Sequence, residues 1–483
     1  MKRFIICLMA LAGVDTACAD PSGIKWYDGQ RLTASLINTL DNSKVNSANG
    51  KAQNLQIQGG TQTVTPSASD NSLAIPNTSW VMTAINGIVT SLANDMSRLG
   101  FQTSYATTIN VCSSGCAYSS VRQAVAQAVT NAHRLFVTGV VNVNIADGTY
   151  AEADQIFTND PYGKYVRIIG NASNPGNVVL KFTNTKGTNL GGFSAYNGGR
   201  FGLIDGVTLT TPADGTGPLA SVDSSGRNIW NAQSYGSGVQ AYGAGSAISL
   251  GSHVVIQNFY YGVVADNNGG IDAPGGGVSV TKSGDANYMA RGGGVIVCTP
   301  CAGSDASDYT APSTAILGMN FIAERGGSLY IDGSSGSGSL VSGVLALSNG
   351  AGWAHNVTLT GGLNSGGNGF AVAEGGVLEL TGSSATGYKN GLSAKSAGFI
   401  SADGASSAAN QIGVLADGGR IEGNGVTITN NTNYGIQALH QGSVVMYGTV
   451  SKMSGNAANF SQQAAGTQSA SNTTYTASSI DVQ

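Results

Sequence analysis

A repeat of 22 residues in the C-terminal half of the chain limits the folds that this sequence can adopt. The segments NGFAVAEGGVLEL, NGLSAKSAGFISA, IGVLADGGRIEGN and YGIQALHQGSVVMY follow one another at this spacing, and their glycines are Gly369, Gly391, Gly413 and Gly435. A fixed period of this length is typical of stacked units, each of which buries its apolar face on its neighbours. We therefore expect a solenoid in which these four glycines lie in one line, one per coil.

Each repeat contains a strand, a glycine-containing turn, a second strand and an Asn-rich turn, which together make one coil of a β-solenoid. Side chains along a strand point alternately inward and outward. The inward positions should stack one apolar side chain on the next, and the residues predicted there are Leu378, Ile400, Ile421 and Val444. Weaker copies of the repeat begin at Tyr261, Met319 and Ser342, so an all-β fold should extend over much of the chain.

The composition supports a repetitive fold with a buried core. A chain of 483 residues is too long for one ordinary compact core. A composition with 71 glycines and only 10% charged residues also occurs in disordered chains. Here, however, 41% of the residues are hydrophobic and no charge run occurs, so the chain can bury a core. The formal net charge is -4 and the basic residues form no stripe, so nucleic acid is not an expected partner.

The N-terminus has the three parts of a secretory signal peptide. Lys2 and Arg3 supply the positive region, residues 4–14 are apolar but too few to span a bilayer, and residues 17–19 (ACA) fit the cleavage rule. We expect residues 1–19 to be a signal peptide and the protein to be extracellular or on the cell surface. The alternative is an apolar N-terminal strand of a cytoplasmic protein. No other segment of the sequence is predicted to span a membrane.

Four cysteines follow the predicted signal peptide, in two close pairs. They are Cys112 and Cys116 in CSSGC, and Cys298 and Cys301 in CTPC. In an exported chain such pairs predict disulfides, although four cysteines allow three connectivities and the sequence does not choose among them. A zinc site made from both pairs is the competing interpretation, which export and the long separation of the pairs disfavour. We expect no metal and no cofactor.

The first part of the mature chain differs in texture from the repeats. Residues 20–107 are expected to form an attachment or oligomerisation region with a linker, residues 108–455 the solenoid, and residues 456–483 a polar C-terminal tail or cap. The segment NTSWVMTAINGIVTSLANDMSRLG has a helical period, with three apolar residues seven apart, namely Ile85, Leu92 and Leu99. Such a seam packs in an oligomer, for example a homotrimer, or against the next domain.

A second helix is predicted just before the repeats. Ser120 should cap its N-terminus, with Gln123 completing a capping box. Its predicted apolar face is formed by Val121, Ala124, Val125, Ala128 and Val129. Together with INV before it and VNVNIADGTYAE after it, this helix looks like the N-terminal cap and first coils of pectin-lyase-like, right-handed parallel β-helix proteins. The resemblance covers about residues 108–455 and implies that the helix closes the open end of the solenoid.

Two segments nearer the N-terminus resemble phage or prophage tail proteins. WYDGQRLTASLIN resembles the start of tail-spike or tail-fibre proteins that carry β-helices, and SLAIPNTSWVMTAI resembles a tail-fibre attachment repeat. This resemblance implies a virion tail as an alternative location. The β-helix fold hosts lyases, hydrolases, esterases and plain binders. The sequence lacks the Gly-His-Gly and paired-Asp motifs of polygalacturonases, the later motifs of pectin methylesterases and the calcium cluster of pectate lyases. No catalytic residue is therefore carried over.

The strand after each glycine turn should present polar side chains outward. The outward residues predicted to bind substrate are Tyr330, Asp332, Trp353, His355, Ser401, Arg420 and Tyr447. The outward carboxylates predicted to be catalytic are Glu379, Asp403 and Glu422. Aromatic faces stack on sugar rings, while carboxylates and Arg hydrogen-bond to hydroxyl groups. This mixture indicates a carbohydrate ligand.

The spacing of the outward carboxylates is also relevant to glycoside hydrolysis. Retaining enzymes hold two carboxyl groups about 5–5.5 Å apart, and inverting enzymes hold them about 6.5–9.5 Å apart. Asp403 and Glu422 fall on adjacent coils, near the retaining distance, whereas Glu379 and Glu422 fall two coils apart, roughly 10 Å by coil spacing. The alternative is that these acids merely solvate the outer face of the solenoid.

The turn before each glycine pair carries a further polar column, formed by Glu324, Glu374, Asp417 and His440. Asp417 and His440 should be close enough to act as an acid and a base, although polar residues favour turns for structural reasons alone. His133 and His253 have no partner that is evident in the sequence. They are expected to be structural.

Two functions are consistent with these sequence features. The first is a binding protein, an adhesin or a tail-type host-recognition protein, that recognises cell-surface or extracellular polysaccharide. The second is a polysaccharide depolymerase, either a glycoside hydrolase or a lyase, that uses the outward carboxylates. The absence of known catalytic motifs favours the first.

Overall fold

The parts of the chain that the computed structural model describes are residues 86–91, 106–133, 139–183, 191–212, 219–222, 228–230, 236–306, 317–361, 367–447, 452–463 and 479–482. The predicted signal peptide and most of the predicted attachment region lie outside these residues. Of the predicted N-terminal helix, residues 86–91 are described, and they are helical. No helix in the described part of the chain is long and apolar enough to cross a membrane.

The predicted all-β fold is confirmed, because the chain winds into a parallel β-helix made of three long sheets. Sheet 1 has 14 strands, and sheets 2 and 3 have 12 strands each. From Val140 onwards the chain visits sheet 1, then sheet 2, then sheet 3 in each coil, so each strand inside a sheet pairs in parallel with the strands one coil before and one coil after. In the described part of the chain, an antiparallel hairpin of Leu219–Val222 with Asn228–Trp230 is inserted within one coil, between its sheet 2 strand and its sheet 3 strand.

The strands have the following bounds. Sheet 1 consists of Ala106–Val111, Val140–Ile145, Val166–Ile169, Arg200–Asp205, Ala247–Leu250, Gly270–Ala273, Val295–Cys298, Ser328–Tyr330, Ala351–Trp353, Val377–Glu379, Phe399–Ser401, Arg420–Asn424, Ser443–Tyr447 and Ser479–Val482. Sheet 2 consists of Gly148–Glu152, Val178–Phe182, Val207–Thr210, Val254–Gln257, Val278–Thr281, Cys301–Ser304, Ser335–Ser337, Thr358–Thr360, Ser384–Thr386, Ser406–Ala408, Thr427–Thr429 and Lys452–Ser454. Sheet 3 consists of Ile156–Thr158, Gly191–Tyr196, Ser237–Tyr242, Tyr261–Asp266, Ala286–Arg291, Met319–Glu324, Ser342–Leu347, Asn368–Ala373, Asn390–Lys395, Ile412–Asp417, Tyr434–Leu439 and Ala458–Gln463. Besides the helical residues 86–91, the described part of the chain has an α-helix at Val121–Ala132 and two short 3-10 helices at Pro161–Tyr165 and Pro175–Asn177.

The predicted line of glycines is confirmed in sheet 3. Gly369, Gly391, Gly413 and Gly435 each occupy the second position of a strand, and the residues that follow them are register partners. A close approach of the backbone explains the residue type. A Cβ atom at Gly413, for example, would lie 2.6 Å from the carbonyl oxygen of Gly435. The coil therefore leaves no room for a side chain at this position.

The predicted inward residues of sheet 1 form the core. Leu378, Ile400, Ile421 and Val444 have no exposed surface and are consecutive register partners. These four residues are 22, 21 and 23 residues apart, and the spacing departs further from 22 in earlier coils. The register partners Ser237, Tyr261 and Ala286 are 24 and 25 residues apart. Coils therefore differ in the length of their turns while the strands keep the same alignment.

The predicted helix closes the N-terminal end of the core, as Val121, Ala124, Val125 and Ala128 are buried. The Ser120 hydroxyl accepts a hydrogen bond from the Gln123 N–H at 3.4 Å, which is one half of the predicted capping box. A carboxylate from sheet 2 also occupies the helix N-terminus. Glu152, which is 2% exposed, accepts hydrogen bonds from the Val121 N–H at 2.6 Å and from the Ser120 hydroxyl at 2.9 Å. The helix is thus fixed to the first coil.

The four cysteines form two local disulfides, Cys112 with Cys116 and Cys298 with Cys301. This pairing selects one of the three connectivities that the sequence allows. The two sheets that end the chain extend past residue 455, where the repeat was expected to stop. Ala458–Gln463 pairs with Tyr434–Leu439 in sheet 3, and Ser479–Val482 pairs with Ser443–Tyr447 in sheet 1.

Candidate functional site

The outer face of sheet 1 carries two parallel columns of polar and aromatic side chains. The first column follows the register of the strands and consists of Tyr330, Trp353, Glu379, Ser401 and Glu422. Consecutive members lie on adjacent coils, about 4.8 Å apart. Glu379 and Glu422 are therefore two coils apart, with Ser401 between them.

The second column lies two residues further along each strand. Backbone hydrogen bonds between coils define it, such as those from the Gly333 N–H to the His355 carbonyl and from the Gly382 N–H to the Asp403 carbonyl, both 2.8 Å long. Its members are Asp332, His355, Thr381, Asp403, Asn424 and, opposite Asn424, Tyr447. Asp403 is accordingly offset along the strand from Glu422, which lies in the first column.

Tyr330 and Trp353 form a stacked aromatic pair at one end of the first column. Their ring centroids are 4.4 Å apart and their planes are inclined by 3°. Tyr330 is 37% exposed and Trp353 is partly buried. Because the two residues are neighbours on adjacent coils, one face of each ring covers the other. The outer face of Trp353 is directed towards the next coil, which carries Glu379.

His355 lies between two carboxylates beside this aromatic pair. Its Nδ1 atom is 3.3 Å from Asp332 Oδ1, and its Nε2 atom is 3.3 Å from Glu379 Oε1. The second contact has an ion-pair distance but not the alignment of a hydrogen bond. The backbone N–H of His355 also donates to Asp332 Oδ1 at 2.9 Å, which fixes that carboxylate. Imidazole and carboxylate groups are the side chains that most often act as general acids and bases.

The other predicted catalytic carboxylates have different neighbours. Asp403 Oδ1 accepts a hydrogen bond of 2.8 Å from the Asn424 N–H. Glu422 Oε2 lies 2.5 Å from Nη2 of Arg420, two residues before it on the same strand. These interactions hold both carboxylates to their own part of the sheet. The structure therefore brings Tyr330, Trp353, Asp332, His355 and Glu379 together, and places Ser401, Asp403, Arg420, Glu422 and Tyr447 further along the solenoid.

Histidine–carboxylate contacts between coils recur elsewhere. Asp417 Oδ1 and His440 Nδ1 are 2.6 Å apart, which confirms the predicted proximity of these two residues. His133 and His253, for which the sequence shows no evident partner, also lie beside carboxylates: His133 contacts Asp160, and His253 Nδ1 lies 3.4 Å from Asp205 Oδ1. Neither contact is evident from the sequence, because each partner lies in another part of the winding chain.

Histidine, cysteine and carboxylate side chains are the usual protein ligands of metal ions. Within the described ranges, no three of them are arranged to hold a metal ion. The site consists of the His355 imidazole, the two carboxylates beside it and the stacked aromatic pair. They offer hydrogen bonding, ring stacking and proton transfer to a ligand.

Comparison with known proteins gives structural similarity at low sequence identity. No protein-family model matches the sequence, and no curated protein matches it. A single-substitution variant of the catalytic domain of a GH87 alpha-1,3-glucanase, in complex with nigerose, has a TM-score of 0.42 and 13% identity. The alignment covers 73% of this chain and 66% of that domain, slightly less than two thirds of its length. The A-module of the Azotobacter vinelandii mannuronan C-5 epimerase AlgE6 has a TM-score of 0.39 and 13% identity, with 74% of this chain and 96% of that module covered. Similarities of this size assign neither a family nor an activity.

Proposed function

We propose that the protein is an exported or tail-type β-helix protein that binds polysaccharide through the outer face of sheet 1. The observation that carries this proposal is the stacked pair of Tyr330 and Trp353 beside the Asp332–His355–Glu379 cluster. The C–H groups on one face of a sugar ring pack against an aromatic face, and its hydroxyl groups donate to carboxylates. Both kinds of partner lie within three adjacent coils.

The position of Glu379 strengthens this assignment. Glu379 is the register partner of Trp353, so a sugar ring on the outer face of Trp353 would lie at the level of that carboxylate. Its carboxylate is about half exposed and therefore accessible to hydroxyl groups. A polymer made of repeated sugars also suits a surface made of repeated coils, because both extend in one direction.

The binding proposal is tested with the purified protein on a glycan microarray and on immobilised polysaccharides such as pectin, alginate and bacterial capsule. The wild-type protein should bind at least one of them, and Trp353→Ala should weaken that binding about tenfold, equivalent to about 1.4 kcal/mol. Tyr162→Ala is the matched control, since Tyr162 is also an exposed aromatic residue but lies near the N-terminal cap. Equal losses for both variants would show that the effect is not local to sheet 1.

A depolymerase is the second candidate function, and the position of His355 between two carboxylates favours it. A glycoside hydrolase needs one group to protonate the leaving oxygen and a second to act as base or nucleophile. A lyase needs a base that removes the proton next to a carboxylate-bearing carbon. His355, Asp332 and Glu379 offer both kinds of group, whereas Asp403 and Glu422 are held by neighbours further along the sheet.

Product analysis separates the depolymerase from the binding protein. Incubation with the bound polysaccharide should release reducing ends from a hydrolase, or unsaturated ends that absorb ultraviolet light from a lyase. Glu379→Gln and His355→Asn should abolish this release, and Asp403→Asn should retain it. A wild-type protein that binds polysaccharide and releases neither product is a binding protein. Full activity in Glu379→Gln would move the site elsewhere.

A further inference from the structure

A second column of aromatic and charged side chains lies at the end of sheet 3, next to the turn that leads into sheet 1. It is named the corner strip here, and its members are Tyr196, Tyr242, Asp266, Arg291 and Glu324. Each is the last residue of its strand and the register partner of the next. The column continues with Leu347 and Ala373, which end this uninterrupted run of five polar and aromatic residues, and charged residues return to it at Lys395 and Asp417.

The two tyrosines of the corner strip are register partners on adjacent coils. The centroids of Tyr196 and Tyr242 are 5.9 Å apart and their planes are inclined by 53°, so neither ring covers the other as Tyr330 and Trp353 do. The Tyr196 hydroxyl donates a hydrogen bond of 3.0 Å to Gln240 Oε1, which fixes that ring on the sheet. Tyr242 is 37% exposed. A sugar ring has a fixed aromatic surface available at this position.

The charged part of the strip is also held in place. Arg291 Nε lies 2.8 Å from Asp266 Oδ2, and the guanidinium carbon of Arg291 lies 5.8 Å from the ring centroid of Tyr261. A guanidinium group carries five N–H donors, so one contact with a carboxylate oxygen does not exhaust them. Ordered donors and acceptors of this kind recognise sugar hydroxyl groups without a large entropic cost.

We propose that the corner strip is a second carbohydrate-binding site, which takes a short stretch of polysaccharide along Tyr196, Tyr242, Asp266 and Arg291. These residues span three coil spacings, about 14 Å. Glu324 is the last member of the strip, and six residues later the chain reaches Tyr330 on sheet 1. One polymer can therefore contact both sites, and the second contact then becomes intramolecular and raises the overall affinity. This inference rests on the proposed function in that the same class of ligand occupies both sites.

The test measures the affinity of wild-type and variant proteins for pectin, alginate and alpha-1,3-glucan by affinity gel electrophoresis. Tyr242→Ala should lower the affinity for the bound polysaccharide about tenfold, and Tyr242→Ala combined with Trp353→Ala should lower it further than either change alone. Phe157→Ala is the matched control, because Phe157 is an exposed aromatic residue of sheet 3 outside the strip. If Tyr242→Ala fails to fold, Tyr242→Leu removes the aromatic ring and keeps most of the volume.

The outcomes distinguish this inference from the proposed function. Loss of affinity in Trp353→Ala with unchanged affinity in folded Tyr242→Ala and Tyr242→Leu overturns the corner strip and leaves the sheet 1 site in place. Loss in Tyr242→Ala with unchanged affinity in Trp353→Ala supports the corner strip and overturns the sheet 1 site. Absence of binding by the wild-type protein to every polysaccharide tested overturns both.

Discussion

The indole ring of Trp353 lies parallel to the phenol ring of Tyr330, and the two residues are register partners on adjacent coils of sheet 1. This contact covers one face of the indole, and Glu379 is the register partner of Trp353 on its other side. It also means that the orientation of the indole depends on its neighbour. The two residues should therefore act as one unit in binding.

The first prediction concerns this coupling. Tyr330→Ala should lower the polysaccharide affinity several-fold because Trp353 loses the ring that orients it. The double variant Tyr330→Ala, Trp353→Ala should bind little worse than Trp353→Ala alone, since residues in contact have non-additive effects. Dissociation constants of the four proteins in a double-mutant cycle measure this. Additivity within about 0.5 kcal/mol would show that the two rings bind independently.

Tyr447→Ala supplies a comparison for that cycle. Tyr447 is an exposed aromatic residue on the same sheet, but it lies in the second column and several coils away from Trp353. Any effect of Tyr447→Ala should add to that of Trp353→Ala, because the two side chains share no contact.

The second prediction concerns the inward column of sheet 1. Ile421 has no exposed surface and lies between Ile400 and Val444 in the stack. Ile421→Asp would bury a carboxylate without a partner, at a cost of several kcal/mol, and should unfold this part of the solenoid. Glu422→Ala changes the adjacent outward residue and should shift the melting temperature little. Thermal unfolding followed by circular dichroism compares the two variants. Similar melting temperatures would contradict the assignment of Ile421 as inward and Glu422 as outward.

The sequence was sufficient to predict the coils, and which side chains of each strand point inward or outward, because both depend on local patterns. A strand alternates side chains at every second residue, so Leu378 and Glu379 can be assigned to opposite faces without knowledge of other coils. The sequence did not reveal that the column of second strand positions in sheet 3, where the four glycines lie, also contains asparagines in earlier coils. Asn287 and Asn320 occupy the same second strand position, where Asn287 Nδ2 donates to Asn320 Oδ1 at 2.9 Å.

Contacts between coils were harder to predict, because they depend on the number of residues in each turn. Asp205 and His253 belong to neighbouring coils but are 48 residues apart, since the segment of chain that joins them contains the inserted hairpin. Tyr196 and Tyr242 are separated by the same insertion. A fixed period of 22 residues aligns neither pair, so the corner strip is visible only in the folded chain.

The third prediction concerns the carboxylate at the capping helix. Glu152→Ala removes the acceptor for the Val121 N–H and the negative charge at the helix N-terminus. The variant should lose about 1–3 kcal/mol of unfolding free energy, because the buried N–H is left without its partner. Chemical denaturation measures the loss. Asp154→Ala is the matched control, since Asp154 forms an exposed ion pair with Arg122, which should contribute less than about 1 kcal/mol.

The fourth prediction concerns the glycine line of sheet 3. At Gly413 an added Cβ atom would meet Gly435 O at 2.6 Å, Ile428 Cγ2 at 2.6 Å and Asn431 Nδ2 at 2.7 Å. Gly413→Ala should therefore force neighbouring coils apart and cost about 1–3 kcal/mol, the usual range for overpacking. Gly270 lies at the start of a sheet 1 strand, and a Cβ atom there would meet nothing closer than 4.0 Å.

Gly270→Ala should accordingly be neutral or slightly stabilising, because alanine restricts the unfolded chain more than glycine does. The midpoints of chemical denaturation of the two variants and the wild-type protein give the comparison. A large loss of stability in Gly413→Ala but not in Gly270→Ala would show that the close approach of successive coils requires glycine in this line. If Gly413→Ala were as stable as Gly270→Ala, the coils would have to be able to separate at this position, and the tight stacking assigned to sheet 3 would be wrong.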